Sequence, residues 1–265
     1  MTLEFITWTV KPEIFSVGSF AVRWYGVLFA ASFAVGYVIM LQIFKKENLP
    51  EALLDKLSVY MVIGTVVGAR LGHTMFYEPQ YYLSHPLEIL KIWEGGLASH
   101  GAAIGILTAL YIFARKTRQT FLWTIDRIVI VVALSGFFIR TGNLMNSEIF
   151  GKPTELAWGF IFTRAGETIP RHPTQIYEGL SYLAIFFYLL WYYYKKNGKP
   201  SDGYLFGMFM ILVFGVRIVI EFLKEPQVAF ENSMALNMGQ LLSIPFVIAG
   251  IVLVYLSRKK QTPVN

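Results

Sequence analysis

The sequence predicts an all-α integral membrane protein, a polytopic bundle of about seven transmembrane helices. Three observations carry this expectation. The 265 residues are 55% hydrophobic and only 15% charged, whereas soluble domains are about 25% charged; the mean hydropathy is +0.52. Apolar runs of roughly 17–25 residues, the length that crosses a bilayer, recur from one end of the chain to the other. Basic clusters close every second run. A soluble helical protein with a large core does not need repeated runs of that length.

The expected spans are 21–44, 57–77, 98–114, 125–139, 175–194, 203–223 and 239–256. The first is a long, mainly apolar run stopped by Lys45 and Lys46. The second carries Gly64, Gly68 and Gly72 every four residues, a strip on which another helix can approach closely. The third opens with Gly101 and Gly105, a second such strip. The fourth is expected to be short, ending at Ile139 and Arg140. The fifth finishes in the aromatic run Trp191–Tyr194, the signature of an interfacial anchor. The sixth carries Arg217 and Glu221, and the seventh carries no charged residue.

Positive charge then sets the orientation. Lys45 and Lys46; Arg115, Lys116 and Arg118; Lys195, Lys196 and Lys199; and Arg258, Lys259 and Lys260 follow alternate spans. The opposite loops hold scattered cations such as Lys91, Lys152 and Arg164. The positive-inside rule therefore places the N-terminus outside and the C-terminus in the cytoplasm. The net charge of +6 is a topology signal and implies no nucleic-acid partner. The opening MTLEFITWTVKPEIF lacks the basic region and cleavage site of a signal peptide, so the first helix must direct its own insertion. No internal repeat of the transporter kind is visible. The chain reads as one transmembrane catalytic domain, 1–265, with an outer-side loop at about 144–174 between helices 4 and 5. That loop is long enough to be a lid or a small folded cap. There is no cysteine, hence no disulfide, thiolate metal site or protein thiol nucleophile.

Polar residues inside the spans point to chemistry. Arg23 opens the first span; Arg70 and His73 lie in the second, His100 begins the third, Arg140 closes the fourth, and Arg217 and Glu221 lie in the sixth. A charge near the bilayer centre costs about 2.5–3.5 kcal/mol on insertion scales, so each needs a partner or a wet cavity. Arg70, His73 and Tyr77 fall within about 60° of one another, opposite the glycine strip. Arg217 and Glu221, four apart, can pair along their helix, on the face of Gly203 and Gly207. Guanidinium forks match phosphate diesters and stay charged, so several arginines within a membrane suggest an anionic lipid headgroup held by the protein. His100 can move protons near neutral pH. No histidine spacing suits a metal, and no phosphate loop, dinucleotide fingerprint or nucleophile elbow is present.

The segment IRTGNLMNSEIFG, residues 139–151, resembles the signature of the prolipoprotein diacylglyceryl transferases, Gly-Arg-x-Gly-Asn-Phe-hydrophobic-Asn-x-Glu-x-x-Gly. Arg140, Gly142, Asn143, Asn146, Glu148 and Gly151 match, while Ile139 replaces glycine and Leu144 replaces phenylalanine. The motifs RWYG (23–26), GARLGH…FY (68–77), WEGGLASHG (93–101), RHPTQIYE (171–178), VRIVIEF (216–222) and MGQLLSIP (238–245) are similar to further family motifs, in the family's order.

The resemblance implies transfer of the diacylglyceryl group of phosphatidylglycerol to the lipobox cysteine of a prolipoprotein signal peptide, at the outer leaflet of the bacterial cytoplasmic (inner) membrane. The products are a thioether and glycerol 1-phosphate, and no metal or organic cofactor is implied. The substrate brings the sulfur, which a chain without cysteine requires. In this reading Arg140 and Arg217 stabilise the departing phosphate, His100 is the candidate base, and Tyr25 and Asn143 hold phosphate or glycerol oxygens. Arg70, Asn146 and Glu148 complete the lipid contacts; Glu148, Glu178 and Glu221 orient the arginines. Gly142 and Gly151 let the chain leave its helix. A transporter or flippase for an anionic lipid would also place arginines in an internal cavity, and a different phospholipid-headgroup enzyme would turn lipid over without a peptide acceptor.

Overall fold

The computed structural model describes residues 5–18, 20–92, 95–225 and 234–259. Trp93 and Glu94 of the WEGGLASHG motif, and Lys260 of the last basic cluster, lie outside these. Eight α-helices occur among the described residues: α1 (Trp24–Lys46), α2 (Glu51–Phe76), α3 (Pro79–Ser84), α4 (Ser99–Lys116), α5 (Phe121–Met145), α6 (Thr174–Lys195), α7 (Tyr204–Glu221) and α8 (Met238–Lys259). Five of them (α1, α2, α5, α7 and α8) are long and apolar enough to cross a membrane. The chain is thus a multi-pass membrane protein. The other two long helices are more polar. In its 18 residues α4 includes His100, Arg115 and Lys116, and α6 carries Glu178 and six tyrosines.

Helix ends follow from local chemistry. After α1, Asn48 takes φ +56° and the Leu49 N–H reaches back to the Phe44 carbonyl at 2.9 Å, the six-to-one bond of a left-handed helix stop. Pro50, extended, then leads into α2. The same device ends α6, where Asn197 and Gly198 have φ +51° and +77° and Gly198 N–H binds the Tyr193 carbonyl at 3.0 Å. At the start of α7, Asp126 accepts the Gly203 and Phe206 N–H groups at 2.7 and 2.8 Å. A carboxylate from another helix thereby caps otherwise unpaired donors.

The chain divides into two units. Residues 40–125 form one, built on the α2–α4 pair. There the two expected glycine strips meet each other. A Cβ on Gly68 would stand 2.5 Å from the Gly101 carbonyl oxygen, and one on Gly64 would stand 2.8 Å from that of Gly105. The backbones therefore touch, as small-residue seams permit.

The other unit comprises residues up to Ile39 and from Asp126 onward. In it α7 and α8 pack on a second glycine seam, a Cβ on Gly207 falling 2.9 Å from the Gly250 carbonyl. This unit departs from an all-α fold in two short sheets. β2 (Glu13–Val17) and β3 (Phe20–Arg23) form an antiparallel hairpin, so Arg23 belongs to a strand, exposed and 3.8 Å from Glu13, and does not open a helix. β1 (Ile6–Trp8) runs parallel to β4 (Phe160–Phe162), Ile6 opposite Phe160.

The segment after α5 is folded around these strands. Leu144, Phe160 and Phe162 form its core with Trp8, Phe150 and Ile176 packed on it. Phe150 stacks on Phe162 at 4.9 Å. Backbone bonds Gly151 N–H to His172 carbonyl and His172 N–H to Lys152 carbonyl, at 2.8 and 3.0 Å, close the segment on itself. Arg171, over the Phe150 ring, pairs with Glu167 at 2.7 Å and Glu225 at 2.5 Å.

Candidate functional site

The fourth span is longer than expected: α5 continues through Arg140 to Met145. Helical spacing then puts Arg140 and Asn143, three apart, on one face, and the Arg140 Nη1 donates to Asn143 Oδ1 at 3.2 Å. Gly142 is inside the helix and does not release the chain from it. Its missing side chain admits the Tyr25 ring, whose Cδ2 would stand 2.8 Å from a Cβ there. The exit is made by Ser147 and Ile149, at φ +55° and +60°. A β-branched residue in that region is costly, on the order of 1–3 kcal/mol. The start of α6 holds the turn in place: Gln175 Nε2 donates to the Glu148 carbonyl at 2.6 Å and Thr174 Oγ1 to that of Ile149 at 2.8 Å. Gly151 is a close-approach position, where a Cβ would stand 2.5 Å from the Leu223 carbonyl.

Asn143 does not present its amide to an open space. Nδ2 donates to Glu148 Oε1 at 2.8 Å, and Asn146 Nδ2 reaches the same oxygen at 3.2 Å. Four signature residues are thus one hydrogen-bonded group, with Asn143 relaying between Arg140 and Glu148.

From Arg140 an ion-pair chain runs into the neighbouring helices. Its Nε lies 2.6 Å from Glu178 Oε2 of α6. Glu178, fully buried, also binds Lys224 Nζ at 2.8 Å. Lys224 binds Glu221 at 3.2 Å, and Glu221 faces Arg217 at 3.5 Å. The expected Arg217–Glu221 pair along the helix is present, but Arg217 is 41% exposed while Glu221 is buried. Asn237 donates to Glu221 Oε2 at 3.1 Å, and Gly239 makes room for that carboxyl, whose Cδ would lie 2.6 Å from a Cβ there. Buried charges are costly unless paired; each described charge of this run has an ion-pair partner, although Glu178 Oε2 and Arg217 Nε make no hydrogen bond.

Sequence reasoning gives no role to Lys224, and it includes Thr174, Gln175 and Gly239 only as members of longer motifs. Lys224 had a signal, a cation three residues after Glu221, but a lysine at the end of an apolar run reads as a boundary marker. Thr174 and Gln175 act through one side-chain bond each to a backbone carbonyl, which no spacing rule announces.

In the α2–α4 unit, Arg70, expected among the lipid contacts, is engaged by backbone carbonyls. Its Nε donates to the Ile89 carbonyl at 2.8 Å, Nη1 to those of Gly95 and Gly96 at 2.7 and 3.3 Å, and Nη2 to that of Glu88 at 2.5 Å. Buried beneath Tyr82, it clamps the segment leading to α4. Gly96, at φ +69°, lies against His73 and Arg70. His100 is the second residue of α4 and is exposed.

The sequence of the chain from residue 12 to residue 256 matches the family model for prolipoprotein diacylglyceryl transferase. The chain belongs to this family. Similar proteins include the phosphatidylglycerol–prolipoprotein diacylglyceryl transferase of Tolumonas auensis, 52% identical over 96% of this chain and 98% of the other. Those of Chloroherpeton thalassium and Porphyromonas gingivalis are 46% and 45% identical, covering 98% and 96% of this chain and 97% and 95% of theirs. Within this diacylglyceryl transferase family member, the Arg140–Asn143–Glu148 group and the chain from Arg140 to Arg217 form the candidate active site.

Proposed function

We propose that this protein transfers the diacylglyceryl group of phosphatidylglycerol to the thiol of a prolipoprotein's lipobox cysteine, the first step of lipoprotein maturation. In this reading seven helices (α1, α2 and α4 to α8) cross the bacterial cytoplasmic membrane, the N-terminus faces outward, and the site opens toward the outer leaflet. The alternating basic clusters support that orientation. A single observation carries the proposal: in a chain that belongs to this family, the signature residues Arg140, Asn143, Asn146 and Glu148 are one hydrogen-bonded group.

The thiolate attacks the glyceryl carbon, a C–S bond forms, and the C–O bond to phosphate breaks with its electron pair leaving on glycerol 1-phosphate. A free thiol titrates at about 8.5, so a base raises its thiolate fraction; His100 is the proposed base. Arg140, oriented by Glu178 and Asn143, and Arg217, oriented by Glu221, face the growing phosphate charge. Fixed donors in a low-dielectric site stabilise such charge strongly. Tyr25, seated on Gly142, holds a headgroup oxygen.

The test incubates purified protein with phosphatidylglycerol and a lipobox peptide. The expected result is a thioether-lipidated peptide and equimolar glycerol phosphate. Labelled lipid that crosses leaflets with no glycerol phosphate would replace the transferase by a flippase. Lipid turnover without a peptide acceptor would replace it by another headgroup enzyme.

A further inference from the structure

Lys224 is absent from every role assigned above, yet it is 5% exposed and touches both buried carboxylates, Glu178 at 2.8 Å and Glu221 at 3.2 Å. It is the one described link between the two arginine–carboxylate pairs: Arg140 with Glu178, and Arg217 with Glu221. Three cations therefore share two carboxylates. Glu148, the next acid along, is separated from Arg140 by the neutral Asn143 amide. Among the described residues, the ion-pair run from Arg140 to Arg217 carries one positive charge in excess, which a phosphodiester of charge −1 would balance.

A buried lysine has a cost. A compact ammonium loses more hydration than a guanidinium when buried, and replacing a buried charge by a well-packed apolar side chain is often neutral or better for stability. Two arginine–carboxylate pairs would already be neutral without it. With Lys224 absent, Glu178 would give both oxygens to Arg140, in the bidentate geometry that the fork favours, and occupy the donors a phosphate needs. With Lys224 present, Glu178 divides its oxygens, Oε2 toward Arg140 and Oε1 toward Lys224. Glu221 Oε1 is shared between Arg217 and Lys224.

We infer that Lys224 is a positioning residue that holds Glu178 partly off Arg140 and Glu221 partly off Arg217, keeping the ion-pair run from Arg140 to Arg217 one positive charge in excess for an anionic phospholipid headgroup. The inference rests on the diacylglyceryl transfer reading for the identity of that headgroup. It acts on lipid affinity more than on the chemical step, because Lys224 works through Glu178 and Glu221.

The experiment measures KM and kcat for phosphatidylglycerol, and direct binding of labelled phosphatidylglycerol, with full-length protein in detergent. Lys224→Met should weaken lipid affinity about tenfold or more, a change of about 1.4 kcal/mol, with a smaller fall in kcat. Lys224→Arg should restore affinity. The double variant Lys224→Met/Glu221→Gln returns the excess to one positive charge; it should recover lipid affinity while kcat stays low, since Arg217 has lost its anchor. Glu221→Gln alone, which does not depend on the folding of the methionine variant, should bind the lipid more tightly than wild type. Unchanged affinity in Lys224→Met, a double variant no better than the single, or Glu221→Gln binding no tighter than wild type would each overturn the inference. Wild-type protein that makes no thioether product would instead overturn the transferase reading, and the inference with it.

Discussion

Asn143 and Glu148 are joined twice. The Glu148 N–H donates to the Asn143 carbonyl at 3.1 Å, and the Asn143 side-chain amide donates to Glu148 Oε1 at 2.8 Å. The first bond is the six-to-one closure of a left-handed helix stop, with Ser147 at φ +55° in the place glycine usually takes. The second ties the same two residues through the relay to Arg140. The way the helix ends and the way the arginine is held are thus one arrangement.

Glu148→Ala should therefore damage both. It leaves the Asn143 and Asn146 amides without their acceptor, at about 1–3 kcal/mol for each buried donor. Glu148→Gln keeps an acceptor oxygen. The alanine variant should lose most transfer activity and melt several degrees lower, and the glutamine variant should fall between it and wild type. Thermal unfolding in detergent alongside thioether formation checks the order; equal melting of all three would sever the link between turn and site.

Arg140 binds Glu178 through Nε and Asn143 through Nη1, on two edges of one planar group. Lysine is a point charge and cannot span both partners. Arg140→Lys should lose roughly 10²-fold or more in transfer, the scale of deleting one transition-state donor, and Arg140→Ala more, with both still inserted and folded. Near-normal turnover in either would remove Arg140 from the mechanism.

Much of this was legible in the sequence for one reason: glycine and charge inside apolar runs are expensive enough to be informative. Gly64, Gly68, Gly101 and Gly105 announced close approach and proved to be one seam. Arg217 and Glu221 announced their own pair. Arg70 showed the limit of that reading. Its cost in an apolar helix was visible, but the carbonyls of Ile89, Gly95, Gly96 and Glu88 that meet it lie 18–26 residues away, in a segment without periodicity. α5 runs further than hydropathy suggests because Arg140 and Asn143 look like a loop to a hydropathy reading, although they share one helical face. The β1–β4 pairing joins strands of three residues from distant parts of the chain, too short to show alternation.

The α2–α4 seam predicts its own intolerance. A Cβ at Gly68 would stand 2.5 Å from the Gly101 carbonyl oxygen, a backbone atom with no rotamer to change. Gly68→Val must separate the helices and should cost about 1–3 kcal/mol or more, as overpacking does. Gly95→Ala is a poor control because of its φ of +91°. Gly26→Ala is a better one, with nothing within 4 Å of the added methyl. Melting temperatures of the Gly68 and Gly26 variants should separate clearly, and coincident values would mean that the seam is loose.

In the folded segment after α5, burial lowers the His172 pKa below its ordinary value. Its Nδ1 faces the Tyr177 hydroxyl at 3.3 Å, which also accepts the Trp158 indole N–H at 3.0 Å. The unfolded chain then binds this proton more readily than the folded one. The contribution is fully present above the unfolded value of about 6.5 and is lost as pH falls below it. Melting temperature should therefore decline on acidification from pH 7 to 5, and His172→Gln should flatten part of that decline. An identical slope in the variant would assign the acid sensitivity elsewhere.

His100 offers the sharpest test of the proposed chemistry. It stands at the second position of α4 and is exposed. A general base works only when deprotonated, so protonation should produce an acidic limb in the pH dependence of kcat/KM. In His100→Gln that limb should vanish, and the residual rate should rise with pH only as the substrate thiol itself ionises near 8.5. The same acidic limb at lower amplitude would show that His100 supports the site without taking the proton, and the base would have to be sought elsewhere.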